Sequence, residues 1–184
     1  MPGPSPAGPL MREHRVIERM IAVLDGQLEA MMRRGAANPR AVDVAIDFIR
    51  TYADACHHGK EENILFRRLA AKELDLPVDQ MVKGLIQDHV YGREMTRGLI
   101  EANNRYAAGD ASALGDIESR LRALIHFYPA HIDKEDRHFF KPALECFSDR
   151  EQAVMLRDFD DFDRTVIHSR YLRVVEELEA AARG

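Results

Sequence analysis

Glu13-His14 and Asp88-His89 are two acidic–histidine pairs about 75 residues apart, and two longer segments repeat at nearly the same interval. His57-His58-Gly59-Lys60-Glu61-Glu62-Asn63-Ile64-Leu65-Phe66 matches His131-Ile132-Asp133-Lys134-Glu135-Asp136-Arg137-His138-Phe139-Phe140. Both run His, two residues, Lys-Glu, an acid, two residues, an apolar residue and Phe. On a helix, residues four apart share a face, so His57 with Glu61, and His131 with Glu135, can each approach one ion. His14 and His89 are lone inward histidines on the two other helices. Counted from the nearest predicted turn, His14 lies 20 residues from Arg34, His57 18 from Pro39, His89 19 from Ala108 and His131 20 from Ala111. At about 1.5 Å per residue, all four stand roughly 27–30 Å from the same end of the molecule. Four imidazoles and two carboxylates therefore meet at one level. Burying two carboxylates with no inward Lys or Arg is costly, and metal ions remove that cost. Six N and O donors exceed the need of a single tetrahedral zinc and suit two ions bridged by Glu61 and Glu135. Imidazole and carboxylate without thiolate favour iron or manganese, with positions left for oxo or hydroxo bridges and a small ligand.

Other chemistry-bearing residues have plainer readings. His58, Glu62 and Asp136 fall off the inward stripe and are expected to be solvated or to support the ligands from outside. His126 and His168 fit surface or packing positions. Tyr128, one turn before His131, either hydrogen-bonds a ligand of the site or is a core aromatic. Cys56 has no second cysteine nearby and is expected to be an ordinary buried thiol. Met20 and Met95 match across the repeat and fill core.

The elements that must position these groups are helical throughout. Leu10, His14, Ile17, Ile21, Leu24, Leu28 and Met31 alternate spacings of four and three, which draws one stripe down a first helix ending near Arg34-Gly35. Asn38-Pro39 supplies a cap and first-turn proline for a second helix to about Glu73. A break over Leu74 to Val78 precedes a third helix to about Ala108. Gly109-Asp110 turns the chain into a fourth, with Ile117, Leu121, Leu124, Tyr128, His131 and Glu135 inward and Pro129 inside it, where a kink is expected. Ser148 with Glu151 forms a capping box for a fifth helix to about Ala181. The expected fold is all-α: an up-down-up-down four-helix bundle over residues 10–147, a proline-rich flexible leader over 1–9, and a C-terminal helix over 148–184 packed on the bundle.

A chain of 184 residues suits one domain. Its net charge of −5 leaves no footprint for nucleic acid, and no basic run points to an anionic membrane. No apolar stretch approaches the roughly 18–20 residues that span a bilayer. The N-terminus lacks the order of a secretory signal, and two cysteines do not make a disulfide framework. A reducing, cytoplasmic location follows as the expectation.

In these motifs the sequence resembles the hemerythrin-like family, the HHE cation-binding domains, over about residues 10–145. The resemblance implies iron ligation by His14, His57, His89 and His131, with Glu61 and Glu135 bridging two iron ions. It also implies small ligands such as oxygen, nitric oxide or peroxide, bound for sensing, storage or stress response. The alternative is a redox enzyme that turns over peroxide or nitric oxide or serves iron repair. The oxygen carriers of the family have a further histidine one turn after the third-helix ligand, where this chain has Arg93, so one iron is expected to keep a vacant or water-filled position. Glu135 and His138 also form the Glu-x-x-His pair of ferritin-like sites, but Ile64 stands at the repeat position of His138. His138 is expected to lie just past the site, lining a pocket or supporting a ligand. The acidic stretch Asp158 to Asp163 offers a solvated face, or a surface for a homodimer or another partner.

Overall fold

A computed structural model describes residues 5–164 and 174–180, and every element among them is helical. Helix α1 spans Ala7–Arg34 and ends at Gly35, whose φ of 63° closes the last turn as few other residues can. The helix begins three residues earlier than the hydrophobic stripe suggests. Pro9 stands within its first turn, where a missing N–H costs no hydrogen bond. Asn38 caps α2 (Pro39–Phe48) by accepting from the Ala41 N–H at 3.4 Å. Asp75 does the same for α4 (Leu76–Ala107), accepting from Val78 at 3.0 Å.

The second long helix is not the uniform α-helix that its periodicity suggests. Past α2 it widens into two π-helical stretches, π1 (Ile49–His58) and π2 (Glu61–Phe66), before a last α-helical turn, α3 (Arg67–Leu69). After α5 (Ala113–Lys134), which runs on through Pro129, a third such stretch, π3 (Glu135–Phe139), leads into α6 (Phe140–Glu145). The π stretches hold His57, His58, Glu61 and Glu135, in keeping with the tendency of such widened turns to mark functional sites.

Helix α5 packs against both α1 and α4, α4 against α2 and π1, and π1 against α1. The buried apolar side chains form two clusters. One gathers Ile17, Leu24, Phe48, Leu99, Leu121 and Tyr128; the other gathers Leu10, Phe66, Leu85, Phe139 and Phe159. On the first three long helices the buried histidines fall between the residues that feed one cluster and those that feed the other, and on the fourth His131 lies at the edge of the first cluster, so a polar layer has hydrocarbon on both sides.

Helix α7 (Asp149–Arg164) opens on the expected capping box, with the Ser148 N–H donating to Glu151 at 2.8 Å and the Glu151 N–H to Ser148 Oγ at 3.4 Å. It buries Met155 and Phe159 in the second cluster. Of its acidic stretch, Asp160 and Asp161 are exposed, as a solvated face requires, whereas Asp158 pairs with Arg68 and Asp163 accepts from Lys60 at 2.6 Å. A further helical stretch covers 174–180, with Val175 buried. His168 lies outside the described residues. No helix among them is long and apolar enough to cross a membrane.

Candidate metal centre

His14 comes from α1, His57 and His58 from the end of π1, Glu61 from the start of π2, His89 from α4, His131 from α5 and Glu135 from the start of π3. All seven are almost wholly buried. They fall into two groups whose donor atoms lie within 4.8 Å of one another: His14, His57, Glu61 and Glu135 in one, and His58, His89 and His131 in the other. Both glutamates reach across the divide. Glu61 lies 3.7 Å from His57 Nε2 and 3.5 Å from His89 Nε2. Glu135 lies 3.1 Å from His14 Nε2 and 3.5 Å from His131 Nε2. This is the arrangement two ions sharing two carboxylates would need.

Each imidazole is held from behind by a carboxylate at Nδ1. His14 donates to Asp136 at 2.7 Å, His57 to Glu13 at 2.9 Å and His89 to Glu62 at 2.7 Å. His58 faces Asp54, and His131 faces Asp88, each at 3.4 Å. A carboxylate can only accept, so the proton belongs on Nδ1 and the Nε2 lone pair is presented to the centre, as metal-binding histidines require. The repeat supplies these supports in a crossed pattern. The acid before each lone histidine (Glu13, Asp88) serves the histidine of the His-Glu helix. The acid after each glutamate (Glu62, Asp136) serves the lone histidine. Lys60 and Lys134 of the repeated motif complete the pattern by pairing with Glu13 and Asp88.

The inner atoms find no such partners. Nε2 of His58, His89 and His131, and all four side-chain oxygens of Glu61 and Glu135, are buried without a hydrogen bond. Leaving that many buried polar atoms unpaired is costly, and cations at the two positions would satisfy them together. The electrostatics agree. Burial and the neighbouring Glu135 raise Glu61 well above the usual carboxylate range. Burial would raise Glu135 too, but His131, His14 and His89 outweigh it and hold Glu135 low. Burial disfavours a charged His14, yet Asp136 and Glu135 lift it to about 9, whereas burial and the His14 charge lower His57 to about 4. A protonated His14 then donates from Nε2 to His57 Nε2 at 2.8 Å. Without an ion, a proton stands between two imidazoles that a cation would share.

Sequence reasoning misplaced His58. It is 2% exposed, stacks on His89 with ring centroids 3.9 Å apart, and joins His89 and His131 as a fifth imidazole. In a regular helix adjacent side chains diverge by about 100°, so His57 and His58 cannot both lie on one narrow stripe. The i to i+5 bonding of π1 spreads each turn over more residues and narrows that step. The repeat concealed the position, because its counterpart there is Ile132, which is apolar but also buried. The available signal was Asp54, one turn before His58. Arg93 is half-exposed and belongs to neither ligand group; it donates to Asp54 at 2.8 Å and to Glu62 at 2.7 Å, bracing the acids behind His58 and His89. His58 thus stands beside the four expected histidines, and Arg93 lies outside both groups.

His138 is exposed and belongs to neither ligand group, so Glu135 and His138 do not act as a ferritin-like pair. His126 is exposed as expected. Cys56 is buried, burial pushes its thiol up to about 12, and it donates to Asp163 at 3.6 Å. Tyr128 is buried and stacks beyond His58 at 6.5 Å.

A family model described as the hemerythrin HHE cation binding domain matches residues 6–143. No curated protein and no solved structure matches the chain.

Proposed function

The chain belongs to the hemerythrin HHE cation-binding domain family, and from that premise we propose that it is a non-haem di-iron protein which binds a small diatomic ligand, oxygen or nitric oxide, for sensing, storage or stress response. His14 and His57 would hold one iron and His58, His89 and His131 the other, with Glu61 and Glu135 within reach of both groups. The helices that carry them run up-down-up-down. Bound iron supplies reversible electron exchange and an open position for the ligand. The two groups differ in imidazole count, two against three, so the His14 and His57 side would offer an ion fewer imidazole donors. The observation that carries this reading is the set of buried, unpaired Nε2 and carboxylate oxygens, backed by an acid behind every imidazole. Both cysteines are free thiols, consistent with a reducing, cytoplasmic location. Iron analysis with an ultraviolet-visible spectrum of anaerobically prepared protein tests it, and two iron ions per chain are expected. One ion per folded chain, or none, overturns the reading.

Redox turnover of peroxide or nitric oxide, or a part in iron repair, is favoured by one feature: a cavity open to the surface reaches His58 and Tyr128. Mixing the reduced protein with oxygen separates the two. Oxygen recovered unchanged under vacuum supports binding, and its consumption supports turnover.

A further inference from the structure

That cavity, about 340 Å³, lies between π1 and α4 and is far larger than a diatomic ligand needs; it falls in the range of sites that hold small organic molecules. Its walls are apolar at Ile49 and Ile100, and His58 and Tyr128 form its inner side. Three arginines line it. Arg93 is committed to Asp54 and Glu62. The only carboxylate in the lining, Asp54, is in turn committed to Arg93 and His58. Arg50, from π1, and Arg97, from α4, are exposed and have no acidic partner among the described residues. Against a chain of net charge −5, this is a local excess of two unpaired guanidinium groups above an apolar, partly enclosed cavity. His58 Nε2, buried and unpaired, marks the far side of the inner wall as the ligand group itself.

We propose that this cavity binds a small organic carboxylate, its charged end held by Arg50 and Arg97 and its apolar body between Ile49 and Ile100, reaching toward Tyr128 and the back of His58. The planar fork of a guanidinium matches a carboxylate through paired N–H donors, so arginine suits this role better than a simple point charge. The apolar walls select an organic body over a bare inorganic anion. The proposal rests on the di-iron reading only for what the ligand lies beside; binding itself needs the chain alone.

Calorimetric titration of the full chain with sodium benzoate, in metal-free and iron-loaded forms, is the test. Saturable binding at one site is expected in both forms, with a shift in the visible spectrum of the loaded form because the ligand touches His58. The double variant Arg50→Gln/Arg97→Gln changes exposed side chains and should keep its fold and iron content while binding benzoate roughly tenfold or more weakly. Neutral benzamide should not bind measurably. Absence of saturable benzoate binding in either form, or equal binding by the double variant, overturns the proposal. Inorganic phosphate that competes as well as benzoate overturns the choice of an organic acid. Arginine-dependent benzoate binding by protein that cannot be loaded with two iron ions sustains this site and refutes the di-iron reading; full loading without benzoate binding does the reverse.

Discussion

Glu13 and Asp88 each precede a histidine in the sequence, yet each serves a histidine on another helix, and this crossing decides what single substitutions should do. Asp136→Asn leaves His14 in place but removes the charge that fixes its Nδ1 proton, so metal affinity should fall by about 10–100-fold. His58→Ala removes a donor outright and should lower iron content, whereas His126→Ala, at an exposed position, should leave it unchanged. Iron content after dialysis against graded chelator measures all three; equal retention by His58→Ala and His126→Ala would remove His58 from the centre. The titration of His14 gives a separate test in metal-free protein. Its folded pKa, about 9, is raised above the ordinary value of about 6.5, so the stability it contributes is full below about pH 6.5 and is lost as pH rises through 9. Glu61, also raised, acts in the same sense. His57, lowered to about 4, acts on the acid side: its contribution is present above about pH 6.5 and is lost as pH falls through 4. Urea unfolding of the metal-free protein should show stability declining between pH 6.5 and 9, by up to about 3 kcal/mol from His14, with a shallower slope in His14→Gln.

Helix α7 lies wholly beyond the residues that match the family model, yet it is tied to the centre. Lys60 is fully buried and joins Glu13, which holds His57, to Asp163 of α7, which also accepts from Cys56 Sγ at 3.6 Å. Gly59 allows the approach, since a Cβ there would come within 2.9 Å of the Phe162 ring. Lys134, the repeat counterpart of Lys60, is 41% exposed and reaches only Asp88 among the described residues, so α7 braces one half of the site alone. Asp163→Asn should cost about 1–2 kcal/mol by weakening a charged hydrogen bond to a buried ammonium, and it should speed iron release, because Glu13 then shares Lys60 with a neutral amide. Urea unfolding gives the first and stopped-flow chelation the second. Unchanged release would confine α7 to packing.

Across the described residues, two apolar clusters lie on either side of a layer of five histidines and two glutamates, and without ions that layer leaves buried polar atoms unpaired. Ions that bind only the folded chain stabilise it in proportion to the logarithm of their free concentration over Kd. Iron removal should therefore lower the melting temperature, followed by far-UV circular dichroism, and readdition should restore it progressively as free iron rises. A melting temperature indifferent to iron would place the ions outside the folded core.

The sequence by itself determined the all-helical character, the caps at Asn38 and Ser148, and the common depth of His14, His57, Glu61, His89, His131 and Glu135. Those features are local or periodic: a cap depends on neighbours three residues away, and depth follows from a constant rise per residue. The tertiary structure alone decided the membership of His58, because the turn that brings it inward departs from the α-helical period on which a stripe is drawn. It also decided which acid serves which imidazole, the task of Arg93 and the link from Asp163 to Lys60. Apart from Asp54 and His58, one turn apart in π1, each of those pairs residues from different elements, and no spacing along one helix encodes which side chains meet across the gap between two.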